Sequence, residues 1–315
     1  MWSTSYINTS SREDRHEELK MWSHLFAWFF PSERDDWLAV LRIGIGLQVA
    51  LYPLSLRNEW LQFLGGESRR ISEAVLAADS SFIPRAGWLV SCGRSFGLSE
   101  KSVLLMVWCA LIAAGLFLLA GLFCRTASIA ALFLHLAAVK SASFFSYGVD
   151  GFTTLGLFYV ALSPLPDRFS LDSRWRKLRP SYADLTGFFR RALQLHICII
   201  YFFSGVSKAL GNGWWNGDNL WRALARPPFN LLDPDFVASL RPSLPVLGVI
   251  ILFLELGYPI FIWPKRTRLI WLLGIIGMHI GIGLFMGMPL FGLVMIILNL
   301  AAFGPNLRAN PIAHP

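Results

Sequence analysis

The chain has 315 residues, 55% of them hydrophobic and 15% charged, with a formal net charge of +8 and a mean hydropathy of +0.51. Soluble domains carry about 25% charged residues, so the missing charge and the long apolar runs exclude a water-soluble domain and place the chain in a bilayer. The basic residues lie between apolar runs and form no stripe of their own, so the positive charge is no nucleic-acid signal. The four cysteines, Cys92, Cys109, Cys124 and Cys198, form no CxxC pair and suggest neither a disulfide framework nor a zinc site.

The polar stretch SREDRHEELK precedes any apolar run, the wrong order for a cleavable signal peptide, and residues 1–36 read as a cytoplasmic N-terminal segment. A span needs about 20 apolar residues. On that measure eight are predicted: Trp37 to Leu56, Val103 to Cys124, Thr126 to Phe145, Gly151 to Pro166, Gly187 to Lys208, Leu244 to Trp263, Arg268 to Met286, and Pro289 to Phe303. The second and third are joined by little more than Arg125, and the seventh and eighth turn at Gly287-Met288-Pro289. The expected fold is therefore all-α, a polytopic membrane helix bundle of about eight spans over 37–305. Two long loops, 57–102 and 209–243, contain apolar pieces such as ISEAVLAA and predict short helices lying over the outer mouth. Residues 306–315 form a tail.

Orientation follows from Lys and Arg in the loops. The side that holds the N-terminus collects Arg12, Arg15, Lys20, Arg34, Arg125, the run from Arg168 to Arg191, and Lys265, Arg266 and Arg268. The opposite side has fewer, most of them in one long loop. Both termini are thus expected in the cytoplasm of a bacterial-type plasma membrane, with Lys208 at the outer end of the fifth span.

Ionisable residues inside spans are expensive and mark function by default. Helical rise places His135, His196, Glu255 and His279 roughly midway along four different spans, a midplane polar cluster in which Glu255 and His279 are the simplest pair. Lys208 ends the fifth span, followed by a turn rich in Gly, Asn and Trp. Asp150, Asp218 and Lys140 are the candidates to share its chemistry, with Trp214 and Trp215 on the rim of a pocket. The bland alternative is a lysine that snorkels to the headgroups between interfacial tryptophans. Arg42, near the cytoplasmic end of the first span, is expected to snorkel inward. No metal site is expected, because no two ligands share one helix face at i and i+3 or i+4.

Five segments carry a resemblance: LRIGIGLQVALY at Leu41, FFSYGVDGFTTLGLFYVALSPLPDRFSLD at Phe144, YFFSGVSKALGNGWWNGDNL at Tyr201, ELGYPIF at Glu255, and MHIGIGLFMGMPLFGLVMIILNL at Met278. Together they resemble the HTTM (horizontally transferred transmembrane) domain, the membrane part of vitamin K-dependent gamma-carboxylase and of short bacterial relatives. One such relative is the B protein of the sporulation-delaying toxin system, which helps mature a secreted peptide. The resemblance implies that Lys208 is the base that deprotonates a reduced quinone (a hydroquinone), with Asp150 and His279 as further catalytic candidates. Asp150 stands where the carboxylase has a histidine, and Ser207 where it has the first of two lysines. The carboxylase's large lumenal domain is expected to be lacking.

Three function classes follow. The first is a membrane enzyme using Lys208 as a base on a lipophilic quinol or a peptide at an outward-facing cavity. The second is a non-catalytic maturation or assembly factor for a secreted peptide, holding lipid or peptide in the same cavity. The third is a proton-coupled transporter built on Glu255 and the histidines.

Overall fold

The computed structural model describes residues 6–79, 82–176, 183–227 and 231–305, with side chains from residue 17 on. All regular structure among the described residues is helical. From the N-terminus come α1 (Tyr6–Phe29), α2 (Asp36–Ser55), α3 (Trp60–Leu64), α4 (Gly66–Asp79), α5 (Ala86–Ser95), α6 (Glu100–Ala120), α7 (Cys124–Ser141) and α8 (Gly148–Leu162). There follow α9 (Leu171–Arg176), α10 (Ala183–Ala209), α11 (Asn212–Trp215), α12 (Asp218–Ala225), α13 (Pro234–Leu240), α14 (Leu244–Phe261), α15 (Lys265–Phe285) and α16 (Pro289–Phe303).

Five helical runs are long and apolar enough to cross a membrane: α2, α6, α10, the run Pro234–Phe261 that ends in α14, and α15. The other three predicted spans coincide with α7, which carries Arg125 and Lys140, and with α8 and α16, apolar but only 15 residues each. Helices α3–α5 and α11–α13 fill the two long loops, as the apolar pieces there suggest. Large apolar side chains such as Phe203, Phe253, Leu269, Ile270, Leu273 and Leu284 are exposed on α10, α14 and α15. A belt of that kind fits a lipid environment and is out of place in water.

Helix α2 is the hub. Its Leu38, Leu41, Ile45 and Val49 are fully buried, and it packs against α6, α8 and α16. The crossing with α6 is close because Gly46 and Gly115 face each other; a Cβ on Gly46 would come within 2.9 Å of the Gly115 carbonyl oxygen. A second group, α10, α14, α15 and α16, packs side by side, so α16 touches both halves.

Arg42 does not snorkel, contrary to expectation. It is 1% exposed and faces the bundle, where its guanidinium donates to both carboxylate oxygens of Asp167, at 2.5 and 3.2 Å, and to the Leu118 carbonyl at 2.5 Å. The reason is depth: α2 begins at Asp36, so Arg42 lies about 9 Å along it, level with the end of α6 and the segment after α8. At the same end of the bundle Arg190 donates to Glu33 and to the Ala302 and Gly304 carbonyls, and Arg125 donates to the Ala161 and Ser163 carbonyls. These arginines satisfy the bare carbonyls at helix C-termini and tie the helices together.

Candidate functional site

Lys208 lies in the last turn of α10. Cα–Cβ bonds in a helix tilt toward its N-terminus, and the lysine side chain folds back over Ser204, one turn earlier, away from the loops. Its Nζ donates to Ser204 Oγ at 2.5 Å and to the two carboxylate oxygens of Glu255 on α14 at 2.7 and 2.9 Å. The Trp214 ring lies over the amine, its centroid 5.3 Å away, in range for a cation–π contact. Trp214 can come this close because α14 offers Gly248 opposite it, where any Cβ would strike the Trp214 carbonyl.

Beside the ion pair is a cavity of about 240 Å³, lined by Lys208, Glu255, Ser204, Trp214, Tyr201 and His279 among otherwise apolar residues. A hydrogen-bonded chain leads from behind it to its wall. The Tyr258 hydroxyl donates to Asn299 Oδ1 (2.6 Å), Asn299 Nδ2 donates to the Tyr201 hydroxyl (2.8 Å), and that hydroxyl lies 2.9 Å from His279 Nε2. The Tyr201 hydroxyl and His279 Nε2 share one hydrogen bond, donated by whichever of them carries the proton. His279 Nδ1 is buried and has no partner among the described residues. The cavity thus gathers an amine, a carboxylate and an imidazole nitrogen left without a partner.

A second cavity, apolar and about 410 Å³, lies between α12, α14 and α15. It shares Leu220, Ile251, Met278, Ile282 and Met286 with the first. The polar site is therefore flanked by a greasy groove.

The expected midplane cluster is not one cluster. Glu255 pairs with Lys208, not His279, whose partner is Tyr201; the two share a cavity without bonding each other. His196 is exposed on α10, with the Tyr159 hydroxyl 3.4 Å from its Nδ1. His135 is buried in the other half, its Nε2 3.3 Å from the Asp150 carbonyl oxygen and its ring edge-on to Tyr52. Of the residues expected around Lys208, Trp214 is there and the others are not. Trp215 is exposed and donates to the Ala209 carbonyl at 2.9 Å. Asp218 is exposed and accepts from Asn216. Lys140 is half-buried at the end of α7 and forms no ion pair among the described residues. Asp150 lines a separate cavity with no residue in common with that of Lys208.

Sequence reasoning missed Ser204, Tyr201, Tyr258 and Asn299. Asn299 carried a usable signal: a lone amide in the apolar run of α16 needs a polar partner on another helix. No family model, curated protein or solved structure matches this chain.

Proposed function

We propose that the chain is a membrane enzyme of about eight spans in which Lys208 acts as a base on an acidic hydroxyl of a lipophilic quinol, or on an acidic proton of a peptide. Its termini lie on the cytoplasmic side of a bacterial-type plasma membrane, and the cavity opens outward. The observation that carries this reading is the direction of the lysine. It turns into the bundle, onto Glu255 and beside a cavity, where a snorkelling anchor would turn out.

The chemistry balances within the cavity. A proton passes from the ammonium to Glu255 across the 2.7 Å contact, leaving a neutral amine and a carboxylic acid. The amine takes the proton of the substrate hydroxyl, so the pair ends with one proton more and the substrate as an oxyanion. The restored ammonium stabilises that anion, which a dry site rewards more than water does, and His279 Nδ1 faces no competing partner among the described residues. The apolar groove next to the site suits a hydrocarbon tail. The same groove favours the second reading, an assembly factor that holds a lipid or an apolar peptide segment without reacting with it.

A reduced naphthoquinone titrated anaerobically into the purified protein separates the two, because a quinol anion absorbs to the red of the neutral quinol. The red-shifted band is expected with the wild type and lost in Lys208→Met and Lys208→Arg, since arginine does not give up its proton. Binding without the band in the wild type would leave only the assembly-factor reading.

A further inference from the structure

Away from Lys208, at the end of the bundle that carries the long loops, lies a small cavity of about 70 Å³. Its walls come from α2, α3, α7, the start of α8 and the start of α16. Five aromatic rings line it: Tyr52, Trp60, Phe63, Phe145 and Tyr147. Phe63 and Phe145 are stacked at 4.3 Å, and Trp60 is fixed by its indole N–H donating to the Leu104 carbonyl at 2.9 Å. The polar side chains in the lining include no Lys, Arg or His, but they include Asp150.

Asp150 is 3% exposed. Its Oδ2 accepts the Tyr147 backbone N–H at 2.9 Å, capping α8. The Tyr52 phenol approaches the same carboxyl and the buried His135 ring lies against the Asp150 backbone carbonyl, yet no donor reaches Oδ1 in hydrogen-bond geometry among the described residues. A cap needs one oxygen; the second is buried at a cavity wall, and no Lys or Arg among the described residues forms an ion pair with it. Buried charge is costly unless paired, and a carboxylate in a cavity lined by aromatic rings is an arrangement that binds organic cations.

We propose that this cavity recognises a primary ammonium group, carried by an ethanolamine lipid headgroup or by a small free amine, with Asp150 as counter-ion and the aromatic rings as cage. The volume holds roughly two water-sized groups, which suits –NH3+ with its first carbon better than the bulkier trimethylammonium. A bare hard cation asks for several oxygen ligands, carboxylates chief among them, and this lining holds a single carboxylate. The site stands apart from the Lys208 cavity: the ends of α8 and α16 turn Asp150 and Leu290 to one side, Phe152 and Phe291 to the other.

The test uses the full chain in detergent micelles. Native mass spectrometry compares retention of phosphatidylethanolamine, phosphatidylcholine and phosphatidylglycerol, and thermal shift compares ethylammonium chloride with sodium chloride at equal ionic strength. The expected result is preferential retention of phosphatidylethanolamine, stabilisation by ethylammonium, or both, weakened about tenfold or more in Asp150→Asn. The asparagine keeps the capping oxygen and removes the charge, so a purely structural Asp150 would leave binding unchanged. Phe63→Leu, which opens the cage and keeps the carboxylate, decides the matter if the asparagine variant does not fold. A lipid preference without an amine response identifies the headgroup as source; the reverse identifies a free amine. Equal retention of the three lipids with no effect of ethylammonium beyond sodium overturns the proposal. So does a preference that both variants keep.

Discussion

The Arg42–Asp167 and Lys208–Glu255 ion pairs of this bundle are built differently. Arg42 and Asp167 are 1% and 0% exposed, and their hydrogen-bonding capacity is used up locally: the guanidinium forks onto the carboxylate and the Leu118 carbonyl, while Asp167 also accepts the Phe169 backbone N–H. Lys208 and Glu255 are 20% and 6% exposed and border a cavity. The first uses arginine, whose planar fork fits a carboxylate and keeps its proton. The second uses lysine, which can release one. A closed pair with no room beside it holds helices together; an open pair next to a void has somewhere to put a substrate.

That contrast breaks first at Arg42. Arg42→Met leaves Asp167 buried and unpaired, a loss of about 3–5 kcal/mol, and thermal unfolding in detergent should show little folded protein. Gly248→Ala comes next. The new methyl meets the Trp214 carbonyl, an overpacking cost of about 1–3 kcal/mol, and a lowered unfolding temperature should accompany weakened quinol binding. Lys208→Met should cost less, about 1 kcal/mol, because Glu255 borders a cavity, and Lys208→Met/Glu255→Gln should unfold near the wild-type temperature. On the quinol-anion band the order reverses: Lys208→Met and Lys208→Arg abolish it, and Gly248→Ala only reduces it. If Lys208→Met unfolds as readily as Arg42→Met, the open pair is structural after all and the contrast fails.

Much of the fold was legible, because apolar runs of span length and charged loops are local signals. The helices predicted from Trp37, Val103, Gly187, Leu244 and Arg268 all lie on helical runs long and apolar enough to span. The site was half legible. Lys208 and Glu255 were both singled out, but depth was read from Cα positions, which put them on different levels. The lysine stem points back along its helix, and that tilt closes the gap. Glu255–His279 was the wrong pair for the same reason. Arg42 could not have been matched to Asp167 by any local rule, since 125 residues separate them. Asp150 was singled out, but as a partner of Lys208; the aromatic rings around it come from three separate stretches of chain.

The Arg42–Asp167 pair also bears on how the protein is made. Helix α2 precedes α6, α10, α14 and α15 in the chain, and it carries a guanidinium facing inward about two turns from its start. Its carboxylate partner is synthesised only after α6, α7 and α8. Until then α2 is an incomplete lipid-facing helix, best kept beside the insertion machinery or in a wet crevice. The Arg42 guanidinium thus lacks its carboxylate partner until the segment that follows α8 has been made.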